Sequence, residues 1–283
     1  MTLIVGILCR DGVVMASDSA ATYSASGMST IGQQTTTKVR PLKNSILYSS
    51  TGAVGMSQII ADGIETLWAS LRKNNPSPAQ VMEAISKDIH QRCQHLFHSA
   101  AMLGQAGMRH VQNDVACRSL VAMPVLGRAC LFEFAETGAP TQATEQLCCV
   151  ALGSGQPIAD PFLALMKKIL WPDSPPTLAE ARLIAAWTIK HVVQTNPGGV
   201  AGDAQMATLV VKGNQAHVED VDASEHYERI EGLEKSLREH ILNPEPTTAE
   251  PARVPVPDVS AATPAAEPAS AAPSAEAVAA PPP

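Results

Sequence analysis

The spacing of apolar positions changes several times along the chain, and each change predicts an element. Residues 3–9 and 13–17 are nearly continuous apolar runs, and Asp11-Gly12 between them suits a tight hairpin turn. A strand with one wet face alternates, so an uninterrupted apolar strand is one covered on both faces. The chain therefore opens as a hairpin inside a layered structure. Residues 38–42 and 45–50 read as two further short strands, and 51–55 as a glycine-containing turn into a helix. From Met56 the period lengthens: Ile59, Ile60, Ile64, Leu67, Trp68 and Leu71 share one helical face, residues 74–78 break it, and Val81, Ile85, Ile89 and Leu96 resume it over 79–101.

That pattern predicts an antiparallel helix pair. Strand-like runs return at 119–123, 129–134 and 146–152, helices at 157–170 and 178–193, and two last strands at 205–211 and 216–221 around the turn Gly213-Asn214. An amphipathic helix over 225–241 closes the series. Strands, a helix pair, strands, a helix pair, then strands describe an α+β protein of two sheets packed face to face with helices outside.

Composition adds a boundary. Residues 243–283 hold 11 of the 22 prolines and 13 alanines without one aromatic residue, so this stretch has nothing with which to build a core. The chain divides into a domain over residues 1–242 and a Pro/Ala-rich disordered tail over 243–283. The formal charge is −7, the tail carries five carboxylates against Arg253 alone, and no Lys/Arg run occurs. Such a chain lacks the electrostatic footprint for nucleic acid or an anionic membrane. The first apolar run has no basic flank before it and stops at Arg10, unlike a signal peptide or a span, which points to the cytoplasm.

The six cysteines include no CxxC pair and read as thiols. Cys148 and Cys149 fall next to each other in a predicted strand, so they are expected on opposite faces and not as a redox pair. His90, His95, His98 and His110 lack metal-ligand spacing and are expected to be solvated. No Walker motif or GxGxxG is present, so neither a metal nor a cofactor is predicted, and ATP dependence would have to come from a partner.

Candidate chemistry begins at Thr2. A small second residue permits removal of Met1, which leaves Thr2 with an α-amine of pKa about 7.7–8.0 beside its own hydroxyl. One residue then supplies nucleophile and base together. The run from Thr2 to Asp18 resembles, without a gap, the start of mature proteasome β-type subunits. Thr37-Lys38-Val39-Arg40-Pro41-Leu42 is similar to that family's lysine-bearing segment and Ser50-Thr51-Gly52-Ala53-Val54-Gly55 to its oxyanion-hole turn. Ala151-Leu152-Gly153-Ser154-Gly155 resembles its Gly-Ser-Gly element. The resemblance covers most of residues 2 to about 222, in the family's order.

The resemblance implies the fold of the N-terminal nucleophile hydrolases, a four-layer αββα sandwich of two antiparallel sheets. It further implies Thr2 as nucleophile, Lys38 as the cation that eases its deprotonation, Asp18 as partner of Lys38, the Gly52 N–H as oxyanion donor and Ser154 as orienter of the α-amine and its water. Taken singly, Asp18 could cap a turn, Lys38 could be a solvated charge, Gly52 could serve only a turn, and Ser154 could cap a helix. By resemblance the specificity pocket is lined by Ala21, Thr36, Arg40, Ser50 and Val54. Ser50 makes it deep and Ala21 and Val54 make it apolar, which favours a sizeable apolar side chain at P1. Arg40 either repels a cation there or faces solvent.

One departure stands out: the family's Asp-x-x-Ser-Gly is replaced by Gly198-Gly199-Val200-Ala201-Gly202-Asp203, and both side chains are missing. The Ala-Gly-Asp form resembles the peptidase subunit of the bacterial two-component ATP-dependent protease (HslV type). The added residues before Lys38, the longer first helix pair and the tail bring the chain closest to the β-proteobacterial proteasome homologue. The resemblance implies a threonine peptidase acting on unfolded polypeptides inside a homo-oligomeric double ring of fourteen or twelve subunits, with an ATP-dependent unfoldase as a possible partner. A small-molecule amidohydrolase of the same fold and a catalytically weak ring-forming shell are the alternatives. A free Thr2 speaks against the shell, because α-type chains carry an N-terminal extension.

Overall fold

The structure is a computed structural model that describes residues 2–25, 28–196, 199–213 and 215–243, with the backbone alone at 21–25, 28–34, 109, 110 and 112. The elements are β1 (Leu3–Leu8), β2 (Val13–Asp18), β3 (Ala20–Ala25), β4 (Met28–Thr35), β5 (Arg40–Leu42), β6 (Ile46–Gly52), α1 (Val54–Leu71) and α2 (Pro78–Gln105). They continue with β7 (Cys117–Val125), β8 (Arg128–Phe134), β9 (Pro140–Gln142), β10 (Cys149–Gly153), α3 (Gln156–Leu170), α4 (Leu178–Thr195), β11 (Ala204–Lys212), β12 (Gln215–Asp222) and α5 (Tyr227–Leu242).

Two five-stranded antiparallel sheets result, one ordered β10-β1-β2-β11-β12 and the other β5-β6-β7-β8-β9. The side-chain period of two sorts each strand between two cores. On β1, Leu3, Val5 and Ile7 pack toward Ala181, Ile184, Ala185 and Ile189 of α4. Ile4 turns the other way, into a layer with Val13 and Met15 that meets Leu47, Leu120 and Leu131 of the second sheet. The second sheet sends Tyr48, Val121 and Met123 outward against Ile60, Ile64 and Trp68 of α1 and Val81, Ile85 and Ile89 of α2. Helices, sheet, sheet and helices thus make four layers, and each fully buried aliphatic side chain contributes about 1.5–3 kcal/mol. A single polar replacement of Ile4 or Leu120 would leave an unpaired group between the sheets, where no water reaches.

Local signals start the helices. Ser77 and Gln80 form a capping box ahead of α2, and Thr177 and Glu180 do the same for α4. Asp11, in the β1–β2 turn, accepts from Leu178 N at 2.8 Å and so ties that turn to the start of α4. Among the described residues no helix is long and apolar enough to cross a membrane.

The hairpin β3–β4 is absent from the sequence expectations. Its residues are mostly Ser, Thr, Gly, Gln and Ala, and the two strands pair with each other, so the sequence carries no apolar period to read there. The last hairpin joins β11 and β12, and Asn214 of its expected turn lies outside the described residues. The expectation that the adjacent cysteines point to opposite faces is overturned. Cys148 precedes β10, so pleated alternation does not govern it, and its Sγ lies 3.7 Å from that of Cys149. Their hydrogen bond lowers the Cys148 thiol to about 7 and, with burial, pushes the Cys149 thiol up.

His90, His95 and His98 are exposed on α2, whereas the His110 side chain lies outside the described residues. Among the described residues, those up to Leu237 group into one compact unit and those from Arg238 on fall outside it, the boundary lying within α5. Residues 244–283 of the expected tail lie outside the described residues.

Candidate active site

Thr2 precedes β1, which has β10 on one side and β2 on the other, so its position is fixed from both edges. Gly153 ends β10 against it with φ of +98°, and a Cβ there would strike the Thr2 carbonyl oxygen. Glycine alone meets both conditions. The next two residues hold Thr2: Gly155 N donates to its carbonyl at 3.3 Å, and Ser154 Oγ accepts from its backbone nitrogen at 3.2 Å. The helix-capping alternative for Ser154 fails, since the N-cap of α3 is Gly155 and makes no side-chain cap bond.

Asp18 closes β2 and is fully buried. Its Oδ1 accepts from Leu3 N at 2.8 Å and from Lys38 Nζ at 2.7 Å, and its Oδ2 accepts from Ala201 N at 3.4 Å. A buried carboxylate is tolerable only with such partners. Lys38, 8% exposed, also donates from Nζ to Thr2 Oγ1 at 3.3 Å. Burial pushes the Lys38 ammonium below the ordinary lysine range, and the charge of Asp18 opposes that shift.

Lys38 lies ahead of β5, outside any strand, contrary to expectation. Its backbone N donates to Gln205 Oε1 at 2.8 Å, while Gln205 Nε2 donates to the Thr36 carbonyl at 2.7 Å. Gln205 is therefore a clamp on the lysine segment that sequence reading missed. An amide on β11 has no motif to announce it.

Thr2 and Lys38 open into a cavity of about 450 Å³. Gly52, at the end of β6, lines it with φ of +109°, a conformation in which a Cβ would strike the Ala116 carbonyl oxygen. Of the expected pocket residues, Thr36, Arg40, Ser50 and Val54 line the cavity, and the side chain of Ala21 lies outside the described residues. Ser57 and Gln58, from the first turns of α1, are lining residues that the sequence reading missed.

The expected apolar character is corrected. Among the named linings Val54 alone is hydrocarbon, and it is 64% exposed. Arg40 is half-buried at the cavity, where Nη2 donates to Ser57 Oγ at 3.3 Å and the guanidinium stands 5.3 Å over the Tyr48 ring. Ser50 Oγ donates to the same Ser57 Oγ at 2.5 Å. The pocket wall is a polar network rooted on buried Tyr48. A larger cleft of about 810 Å³ beside Trp68 and Arg72 contains none of the groups gathered around Thr2.

A profile of the proteasome subunit family matches residues 2–199. The chain belongs to the proteasome subunit family. Two solved structures share the fold of this proteasome-family chain. Anbu (ancestral beta-subunit) from Yersinia bercovieri is 15% identical, with a TM-score of 0.60 over 87% of this chain and 99% of its own. Anbu from Hyphomicrobium sp. strain MC1 is 12% identical, with a TM-score of 0.57 over 86% and 98%. At these identities the likeness is one of fold. No curated protein sequence matches the chain significantly. At Ala201, in the segment that departs from Asp-x-x-Ser-Gly, the backbone N–H donates to Asp18 Oδ2 at 3.4 Å and the carbonyl accepts from Ala20 N at 3.1 Å. Pro197 and Gly198, just before, lie outside the described residues.

Proposed function

We propose that the protein is a threonine-type peptidase, acting on unfolded polypeptides inside a ring assembly of identical subunits. The observation that carries this reading is Lys38 Nζ bridging fully buried Asp18 and the Thr2 hydroxyl at the mouth of the cavity. Removal of Met1 turns the Thr2 nitrogen into an α-amine, already beside Ser154 Oγ. The hydroxyl proton passes to that amine as Oγ1 attacks the carbonyl carbon of the substrate, and the Lys38 charge lowers the cost of the developing alkoxide. The Gly52 N–H donates to the carbonyl oxygen as it gains charge. Collapse expels the leaving amine, which takes the proton. Water then adds to the Thr2 ester by the same route in reverse and releases the acid product.

The experiment is a mass measurement followed by a variant. Intact mass should show loss of Met1 and a single addition of an N-terminal-threonine-selective electrophile on Thr2. Thr2→Ala should abolish peptide hydrolysis with assembly unchanged, and retained turnover would exclude the mechanism. Sedimentation bears on the ring: a particle of twelve or fourteen chains supports it, whereas a monomer or dimer favours a small-molecule amidohydrolase.

A further inference from the structure

We propose that the cavity beside Thr2 receives an acidic P1 side chain, its carboxylate paired with Arg40, so that the substrates are polypeptides cut after Glu or Asp. This specificity rests on Thr2 being the nucleophile.

The charges at the cavity decide its sign. Lys38 and Arg40 are the charged side chains that line it. Lys38 is already paired with Asp18 behind it. Arg40 has no ion-pair partner among the described residues. An uncompensated guanidinium on a half-enclosed wall repels a basic side chain, and it loses hydration without return against an aliphatic one. A carboxylate meets its planar fork with two parallel hydrogen bonds.

The guanidinium is also held in place. Ser57 Oγ takes one of its five N–H donors and the Tyr48 ring supports its face, so most of its donor capacity remains for a ligand. Ser57 Oγ accepts in addition from Ser50, and the Tyr48 hydroxyl donates to the Ser57 carbonyl at 3.1 Å, which fixes the residue. Ser57 is thus a positioning residue for Arg40. Further polar linings, Thr36, Ser50 and Gln58 among them, suit the neck of a Glu side chain better than the bulk of Leu or Phe. The first turn of α1, which contains no acidic residue, lies on the same wall and adds a field of the same sign. It does not by itself select a ligand.

The test uses four peptide epoxyketones that differ only at P1, carrying Glu, Gln, Leu or Arg, and reads the rate of Thr2 modification by intact mass on the full-length assembly. The Glu probe should modify Thr2 about 10- to 100-fold faster than the isosteric Gln probe, the range set by a charge-assisted hydrogen bond. Arg40→Gln should bring the Glu to Gln ratio close to one, and Ser57→Ala should lower it several-fold. Should either variant fail to fold, the four-probe ranking on the unaltered protein still decides. Faster labelling by the Leu or Arg probe, or a Glu to Gln ratio near one, overturns the pocket assignment while Thr2 stands as nucleophile. Absence of labelling by every probe overturns the nucleophile assignment and this proposal with it.

Discussion

The two sheets meet across one core, yet they contribute unlike things to the site. The sheet containing β1, β2 and β10 brings Thr2, Asp18 and Ser154 to one end of its strands, where Thr2 N donates to Ser154 Oγ, Gly155 N to the Thr2 carbonyl and Leu3 N to Asp18 Oδ1. The sheet containing β5 and β6 brings Arg40, Ser50 and Gly52, joined by Ser57 of α1. On the proposed function the first set surrounds the nucleophile Thr2, and the second shapes and charges the cavity in front of it. Lys38 stands between them, on irregular chain that Gln205 clamps. On the proposed function, chemistry belongs to one sheet and recognition to the other, with Gly52 the single crossing point. A site divided in this way can change its substrate without disturbing its nucleophile.

The largest effect should come from breaking the bridge itself. Lys38→Met keeps the aliphatic bulk but leaves Asp18 buried without its cation, a loss of about 3–5 kcal/mol when one partner of a buried pair is removed. Turnover should fall to background with every substrate, and calorimetry should show a lowered Tm. Activity that persists with only KM altered would move Lys38 to the recognition side.

Gly52→Ala tests the crossing point. The positive φ and the clash with Ala116 should cost about 1–3 kcal/mol and displace the amide, so kcat should drop for all substrates alike. A change confined to KM would leave the second sheet with no part in the chemistry.

The pH profile sharpens the comparison further. The acid limb should follow the Thr2 amine, since only its neutral form accepts a proton. On the alkaline side the rate should fall as Lys38 loses its charge. Burial disfavours the protonated form and sets its pKa lower than that of a free lysine, so this limb should begin earlier than ordinary lysine titration predicts. Stopped assays at matched ionic strength on wild type and Lys38→Arg would check it, because the guanidinium should push the alkaline limb upward.

The smallest effect is expected at the far end of the chain. Deleting residues 243–283 should leave Tm and assembly size unchanged, because Pro/Ala sequence contributes little burial. Loss of the assembly would show that the tail packs.

Much of the scaffold was legible in the sequence for one reason. Strands covered on both faces are apolar throughout, and helices that cover them repeat every three to four residues, so residues 3–9, 13–17 and 56–71 betray their layers before any folding is considered. The β3–β4 hairpin escaped because its strands are mostly small and polar residues with no apolar period to read, and Cys148 was misjudged because β10 begins only at Cys149, inside the strand expected over 146–152.

Sequence alone placed Thr2, Asp18, Lys38, Gly52 and Ser154 in the order in which the resembled family carries its site residues, and predicted two sheets with two helix pairs outside them. Only the tertiary structure decided which groups touch. Asp18 and Ala201 are far apart along the chain yet hydrogen-bonded, and Gln205 reaches back to Lys38. It also decided the character of the cavity, since whether Arg40 meets solvent or a substrate depends on Ser57 and Tyr48, contributed by a helix and a strand that follow it. Local pattern reports which face of an element is buried. The environment of a charge is set by elements that folding brings to it from elsewhere.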